Sequence, residues 1–190
     1  GADPFGASAE GDTPLSLAVR LDWLQLLDRL LDIGVDREFR DGHGMTALHL
    51  AAALGREAAL KQLVKKGASP EARAADGQTP LGISLASGRR DLADWLEWRG
   101  WKLPRRALRP ADLPAAAMAG DRDSVRRLLD FGFEVDAVDV QGCSALLRAA
   151  GGGHRAVAEL LIARGANLEH AASTGATPLS AAVSMRHADL

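Results

Sequence analysis

The sequence predicts an all-α solenoid, built from short antiparallel helix pairs stacked in register. Three observations carry this. Glycines close apolar stretches at Gly34, Gly67, Gly100, Gly132 and Gly165, in steps of 33, 33, 32 and 33 residues. Hydroxyl residues keep the same time at Thr13, Thr46, Thr79, Ser144 and Thr177, with Ala111 in the fourth place. The apolar stretches between these markers are too short to make helices that stand alone in water, so each must bury its face on a neighbour. A fixed period of this length is the mark of a repeat array.

Each element follows from local chemistry. Thr13-Pro14, Thr79-Pro80 and Thr177-Pro178 start a first helix. The threonine hydroxyl accepts a free backbone N–H, and proline suits the first turn because no donor is needed there. After about two turns, Gly55, Gly88, Gly120 and Gly153 let the chain reverse. A second helix follows, with apolar pairs such as Leu26/Leu27 and Leu30/Leu31. The period glycine then ends it in the left-handed conformation. Six units fit, at about 8–40, 41–73, 74–105, 106–138, 139–171 and an incomplete 172–190, after a flexible leader or tag remnant at 1–7.

Composition narrows the function classes. Net charge is −2, which offers no global field toward nucleic acid or an anionic membrane. Arginine outnumbers lysine 19 to 4, a skew that fits a GC-rich bacterial source. A single cysteine, Cys143, excludes an internal disulfide and a multi-cysteine zinc site. No apolar run approaches a membrane span. The lone cysteine, with no signal or membrane segment in view, favours the cytoplasm.

Phrases such as "DGHGMTALHLAAALGREAALKQLVKKGASPEA" and "TGATPLSAAVSMRH" resemble the ankyrin repeat, D-x-x-G-x-T-P-L-H-x-A-A-x-x-G followed by a helix and L-L-x-x-G-A. The resemblance covers about Ser8 to the C-terminus and implies a single domain over 8–190. It implies L-shaped units: two antiparallel helices beside a β-hairpin finger, with fingers and first helices lining a concave face. His49 stands where the family's histidine hydrogen-bonds between neighbouring units. Ser16, Gly82, Pro114, Leu147 and Ser180 fill that place elsewhere, so this ladder should be weak.

The fourth unit departs from the pattern. In "WKLPRRALRPADLP", Pro104 and Pro110 bracket Arg105, Arg106 and Arg109, and proline cannot donate to a regular finger. Asp112 can replace threonine as the helix cap. Trp95 and Trp98 fall on the third unit's second helix, and Trp101 replaces an alanine. With Arg105 and Arg106 they form either a secondary contact patch on the convex side or filling for an irregular junction.

Catalytic chemistry finds no foothold. The histidines at 43, 49, 154, 170 and 187 are spread over separate units, and no H-E-x-x-H, G-x-S-x-G or phosphate-binding loop is present. His154 and His187 read as turn residues, and Gly151-Gly152-Gly153 as an adaptable turn. Asp121 with Asp123, and Asp136 with Asp139, read as capping residues. No catalytic residue, metal or cofactor is expected.

The resemblance instead places partner contacts at finger tips and first-helix ends. Those positions are His43, Met45, Ala53, Leu54, Asp76, Gln78, Ser87, Leu108, Met118, Val140, Gln141 and Cys143. Further candidates are Glu10, Asp12, Arg20 and Leu21 in the first unit, and Thr174, Ser184 and Met185 in the last. This row is small, mildly apolar and lacks the stripe of Lys and Arg that nucleic acid requires. It suits another protein or an extended peptide. The expected function is a non-catalytic interaction module, of the scaffold or bacterial inhibitor kind. The alternative is the regulatory or targeting arm of a larger enzyme, suggested by the ragged sixth unit. At the opposite end, Leu21, Trp23 and Leu24 are unusually apolar for a cap; either Phe5 and the leader fold back over them or another domain docks.

Overall fold

A computed structural model describes residues 6–9, 11–98 and 100–185. Eleven helices succeed one another among them: α1 (Pro14–Arg20), α2 (Leu24–Asp32), α3 (Ala47–Ala53), α4 (Glu57–Lys65), α5 (Pro80–Ala86), α6 (Arg90–Leu96), α7 (Asp112–Met118), α8 (Arg122–Asp130), α9 (Ala145–Gly151), α10 (Arg155–Ala163) and α11 (Pro178–Ser184). The chain forms two compact units. One comprises Gly1–Glu97 with Leu103–Leu108, the other Trp98–Lys102 with Arg109–Leu190.

In the first unit, α1 packs on α2, α3 on α4 and α5 on α6, while α3 also packs on α1 and α5. Leu15, Leu27, Leu48, Leu60, Leu63 and Leu92 fill the interior. In the second unit, α7 and α11 flank α9, and α8 lies against α10. Leu113, Leu128, Val125, Val157 and Leu161 are buried there. Each helix thus gains its stability from apolar contact with neighbours, as helices of seven to nine residues must.

Helix starts are closed as the threonine markers require. Thr13 and Thr177 form reciprocal capping boxes with Ser16 and Ser180, and Thr79 caps α5 through the Gly82 amide. Ser16 and Ser180 close their own turn at the place where His49 reaches outward. Asp112 is the first residue of α7, with Ala111 before it. Its carboxylate accepts the Arg109 amide at 2.7 Å, so it braces the incoming loop.

A second set of ties runs between neighbouring pairs. Ahead of α4, α6 and α10, the residue just before the helix reaches the preceding turn: Arg56 to the Arg20 carbonyl, Arg89 to that of Gly55 and His154 to that of Met118, at 3.4, 3.3 and 3.0 Å. Along the second helices, Gln62 donates to Asp28 at 2.9 Å, and Lys66 pairs with Asp28 and Asp32.

The fingers are tight loops with minimal strand character. The amides of Asp41, Ala74, Asp139 and Ala172 each bond the carbonyl four residues on. Isolated antiparallel bridges join Arg40 to Thr46 and Val138 to Ser144. Successive fingers touch through main chain, as in Gly42 N–H to Gly11 O at 2.9 Å and Ala75 N–H to Gly44 O at 3.2 Å. Glycine at 44 is needed twice over: its φ is +71°, and a β-carbon would lie 2.4 Å from that of Ala75.

Two expectations fail at the junction. Gly100 is not among the glycines with positive φ, whereas Gly34, Gly67, Gly132 and Gly165 are. The reason is that α6 ends early, at Leu96, so Gly100 does not terminate a helix. A side chain there would meet the Asp121 carboxylate at 2.5 Å. For the same reason Trp98 lies beyond α6, while Trp95 lies within it.

Candidate functional site

The finger tips are preset by short carboxylates. Asp41 Oδ1 accepts the amides of His43 and Met45 at 2.9 and 3.0 Å. Asp139 Oδ1 accepts those of Gln141 and Cys143 at the same distances, and Asp76 accepts that of Gln78 at 3.0 Å. These are Asx turns, which fix a loop without a strand. They direct His43, Asp76, Gln78, Val140 and Gln141 into solvent, with Met45 half-buried.

First-helix ends supply the apolar part. In the first unit, Leu21 and Leu54 follow α1 and α3 as C-caps and are 68% and 47% exposed. Leu85 is also exposed, and so are Ala53 and Ser87. In the second unit Met118 ends α7 and is exposed, as is Val140 at its finger tip. Asp12 pairs with Arg20 at 3.5 Å. Thr174, Ser184 and Met185 are exposed. Glu10, Phe5 and His187 lie outside the described residues.

Leu108 and Cys143 do not belong to this surface. Leu108 is buried, and its amide donates to the Lys65 carbonyl at 2.8 Å. Cys143 is a buried free thiol packed with Leu147 and Ala172. Each occupies a finger position whose side chain turns inward.

The tryptophans have different surroundings. Trp95 belongs to the first unit, where the Lys61 ammonium sits 5.8 Å from its ring centre. Trp98 and Trp101 belong to the second, their rings 6.3 Å apart and tilted by 57°. The Arg127 guanidinium lies 5.0 Å over Trp98 and is buried. The Trp101 amide donates to Asp121 at 2.7 Å. Arg105 is exposed, and Arg106 is half-buried with a bond to the Ala107 carbonyl.

His49 is fully buried and bridges two repeats. Its Nδ1 faces the Thr46 hydroxyl and accepts the Thr46 amide, so Nε2 carries the proton. That N–H is shared between the Ala72 and Gln78 carbonyls, each 3.1 Å away. Burial pulls the imidazole pKa below its usual 6.5 against the opposing pull of these carbonyls. His170 makes a related contact in the second unit, Nε2 to the Gly142 carbonyl at 3.1 Å.

The carboxylates cap and brace. Asp121 caps α8 through the Ser124 amide at 3.1 Å. Burial disfavours its charged form, but Ser124 and the Trp101 amide outweigh that and hold its pKa below the usual 3.8. Asp139 behaves alike: burial opposes ionisation, and Arg148 with two finger amides overcomes it. Asp136 accepts the Asn167 amide at 2.9 Å. Among the described residues, no cluster of three or more His, Cys, Asp or Glu could hold a metal, and no helix is long and apolar enough to cross a membrane.

Sequence reasoning passed over Arg40 and Arg73 on the finger flanks and grouped Arg106 with the tryptophans instead. Arg40, Arg73 and Arg106 each stand six residues after a period glycine, so the signal lay in the period itself.

Comparison with known families gives one match: a model of ankyrin repeats (3 copies) fits residues 1–74 and 113–190. The stretch between the two matched segments contains the early end of α6 and the proline-rich loop. A search of curated proteins returns no match.

Proposed function

Because this chain belongs to the ankyrin-repeat family, whose members are generally protein–protein interaction modules, we propose that it is a non-catalytic binding protein holding another protein or an extended peptide across its finger tips and first-helix ends. The observation carrying this reading is the pairing of preset finger tips with exposed apolar residues at helix ends, Leu21, Leu54 and Leu85 in one unit and Met118 in the other. Exposed aliphatic side chains on a fixed frame gain from burial by a partner while costing little conformational entropy. Methionine and leucine there favour a protein surface over phosphates. Such a protein works by occupancy, as an inhibitor or scaffold that covers what it binds.

The test is affinity capture with the full chain from its source, repeated after Leu54→Asp and Met118→Asp. Loss of the same captured protein supports the reading. Retention in both variants, with loss on Trp95→Ala and Trp98→Ala, moves the interface to the tryptophan side and overturns it.

A further inference from the structure

The first unit carries a groove of about 330 Å³ that crosses three successive fingers. Its walls are Glu38 and Arg40 from the first, Ser69, Glu71 and Ala72 from the second, and Arg105 from the third. We propose that this groove binds an extended acidic peptide segment, reading carboxylates placed about one per repeat. The inference rests on the proposed use of the finger face for protein binding and adds the chemistry of the partner.

Arg40, in the groove wall, and Arg73, next in the chain to the wall residue Ala72, are held in a common pose. Arg40 Nη1 donates to the Gly44 carbonyl at 3.4 Å, and Arg73 Nη1 to the Gly77 carbonyl at 3.1 Å. In both cases the acceptor is the carbonyl four residues on, in the arginine's own finger. One of five guanidinium donors is used and the others stay available. Arg40, Arg73 and Arg105 are exposed and make no ion pair among the described residues. Arg106 continues the column with its bond to Ala107.

The floor is fixed as well. His49 pins the Ala72 carbonyl from beneath at 3.1 Å, and the Ser69 amide occupies Glu38 Oε1 at 2.8 Å. Glu38 is thereby engaged within the protein. Glu71, exposed and without an ion pair among the described residues, remains as a negative point between the arginines.

Spacing selects the ligand. Neighbouring packed helices sit about 8–10 Å apart, which sets the step from finger to finger. Three residues of a peptide extended in the polyproline II form span about 9 Å and bring the side chain back to the same face. Carboxylates at every third residue therefore meet successive arginines, and a guanidinium fork takes a carboxylate well. A nucleic acid strand, with a phosphate at every step, would set charge against Glu71.

The experiment uses the full chain and fluorescence anisotropy. A labelled nine-residue Gly/Ser peptide carries Glu at every third position, a second has the same composition with its Glu residues adjacent, and the third probe is oligothymidylate. The spaced peptide should bind best at low salt. Arg40→Ala with Arg105→Ala should weaken it about tenfold, as expected for two exposed charge pairs, and Glu71→Gln should tighten it. Equal binding of the clustered peptide, tighter binding of oligothymidylate, or indifference to the arginine changes would overturn the proposal. If the peptide fails while Leu54→Asp still abolishes capture, the groove is wrong and the broader surface stands. If the peptide binds through the arginines while capture ignores Leu54→Asp, the groove stands and the apolar row falls.

Discussion

At the start of α3 the third helical residue is His49, and at the start of α9 it is Leu147. Both lie three residues beyond a hydroxyl marker, and both are buried. His49 closes its repeat against the next by a shared Nε2–H bond to two carbonyls. Leu147 does so by apolar contact with Cys143 and Ala172. The second unit then adds a charged brace outside: Arg148 Nε donates to Asp139 at 2.8 Å. One slot in the repeat is thus filled by a neutral polar lock in the first unit and by an apolar plug with an ion pair in the second. The first should answer to proton concentration near neutrality, the second to salt and strong acid.

The largest effect is expected at His49. His49→Leu leaves the buried Thr46 amide and the Ala72 carbonyl without their partner, while the Gln78 carbonyl keeps the Ala74 amide at 2.8 Å. Two unsatisfied groups of this kind cost about 2 kcal/mol together. The pH dependence has a definite sign. The folded imidazole has a lowered pKa, so the unfolded chain binds the proton first. Its stabilisation is complete above the usual 6.5 and is lost as pH falls from there toward the folded value. Urea unfolding between about pH 7.5 and about pH 5, the range in which histidine titrates, should show this decline in the parent and a flatter profile in His49→Leu. A loss below about 1 kcal/mol in the variant would sink the polar-lock account.

Salt is the sharper tool for the second unit. Arg148→Ala removes the ion pair to Asp139, whose partners are only 24% and 17% exposed. We expect about 1 kcal/mol of destabilisation at low salt, shrinking as added salt screens the pair. The His49→Leu cost should not change with salt. Asp139 has a lowered pKa, so its contribution is present above the usual 3.8 and lost as pH falls below it. A cost for Arg148→Ala that is the same in low and high salt would mean that Arg148 acts by packing its stem.

The contrast also marks how far the sequence could be read. The period, the hydroxyl caps and the reversal glycines were legible because each depends on local backbone chemistry. His49 was legible as a bridge only through the family pattern, and its two acceptors needed the neighbouring repeat in place. The junction was not legible. An apolar stretch followed by glycine looks alike at Leu96 to Gly100 and at Val64 to Gly67, yet only the second ends in the left-handed turn. What differs is tertiary: 98–102 packs within the second unit, while Leu103–Leu108 packs within the first. Leu108 and Cys143 were misjudged because finger position does not say which way a side chain points. The arginine column was written in the period but obscured by attention to family contact positions.

The smallest effect sharpens the comparison at the inter-helix turn. Gly55, Gly88, Gly120 and Gly153 all have positive φ there, and among the described non-glycine residues Asp22 alone shares it, at 54°. Aspartate tolerates this region better than most side chains but still carries strain of about 1 kcal/mol. Its carboxylate meets Arg56 at 3.3 Å in an exposed pair, worth about 0.5 kcal/mol. Asp22→Gly relieves the strain, loses the pair and gains entropy in the unfolded chain, so the net change should lie within about 0.5 kcal/mol of zero. Asp22→Asn keeps the tolerance and isolates the pair, while Asp22→Val adds a branched side chain where φ is positive and should cost about 2 kcal/mol. Thermal unfolding of the three variants gives the order Gly and Asn near the parent, Val well below. If Gly and Val fall together, the ion pair and not the backbone decides this turn, and Asp22 is a charged tie to the next repeat that glycine does not supply elsewhere.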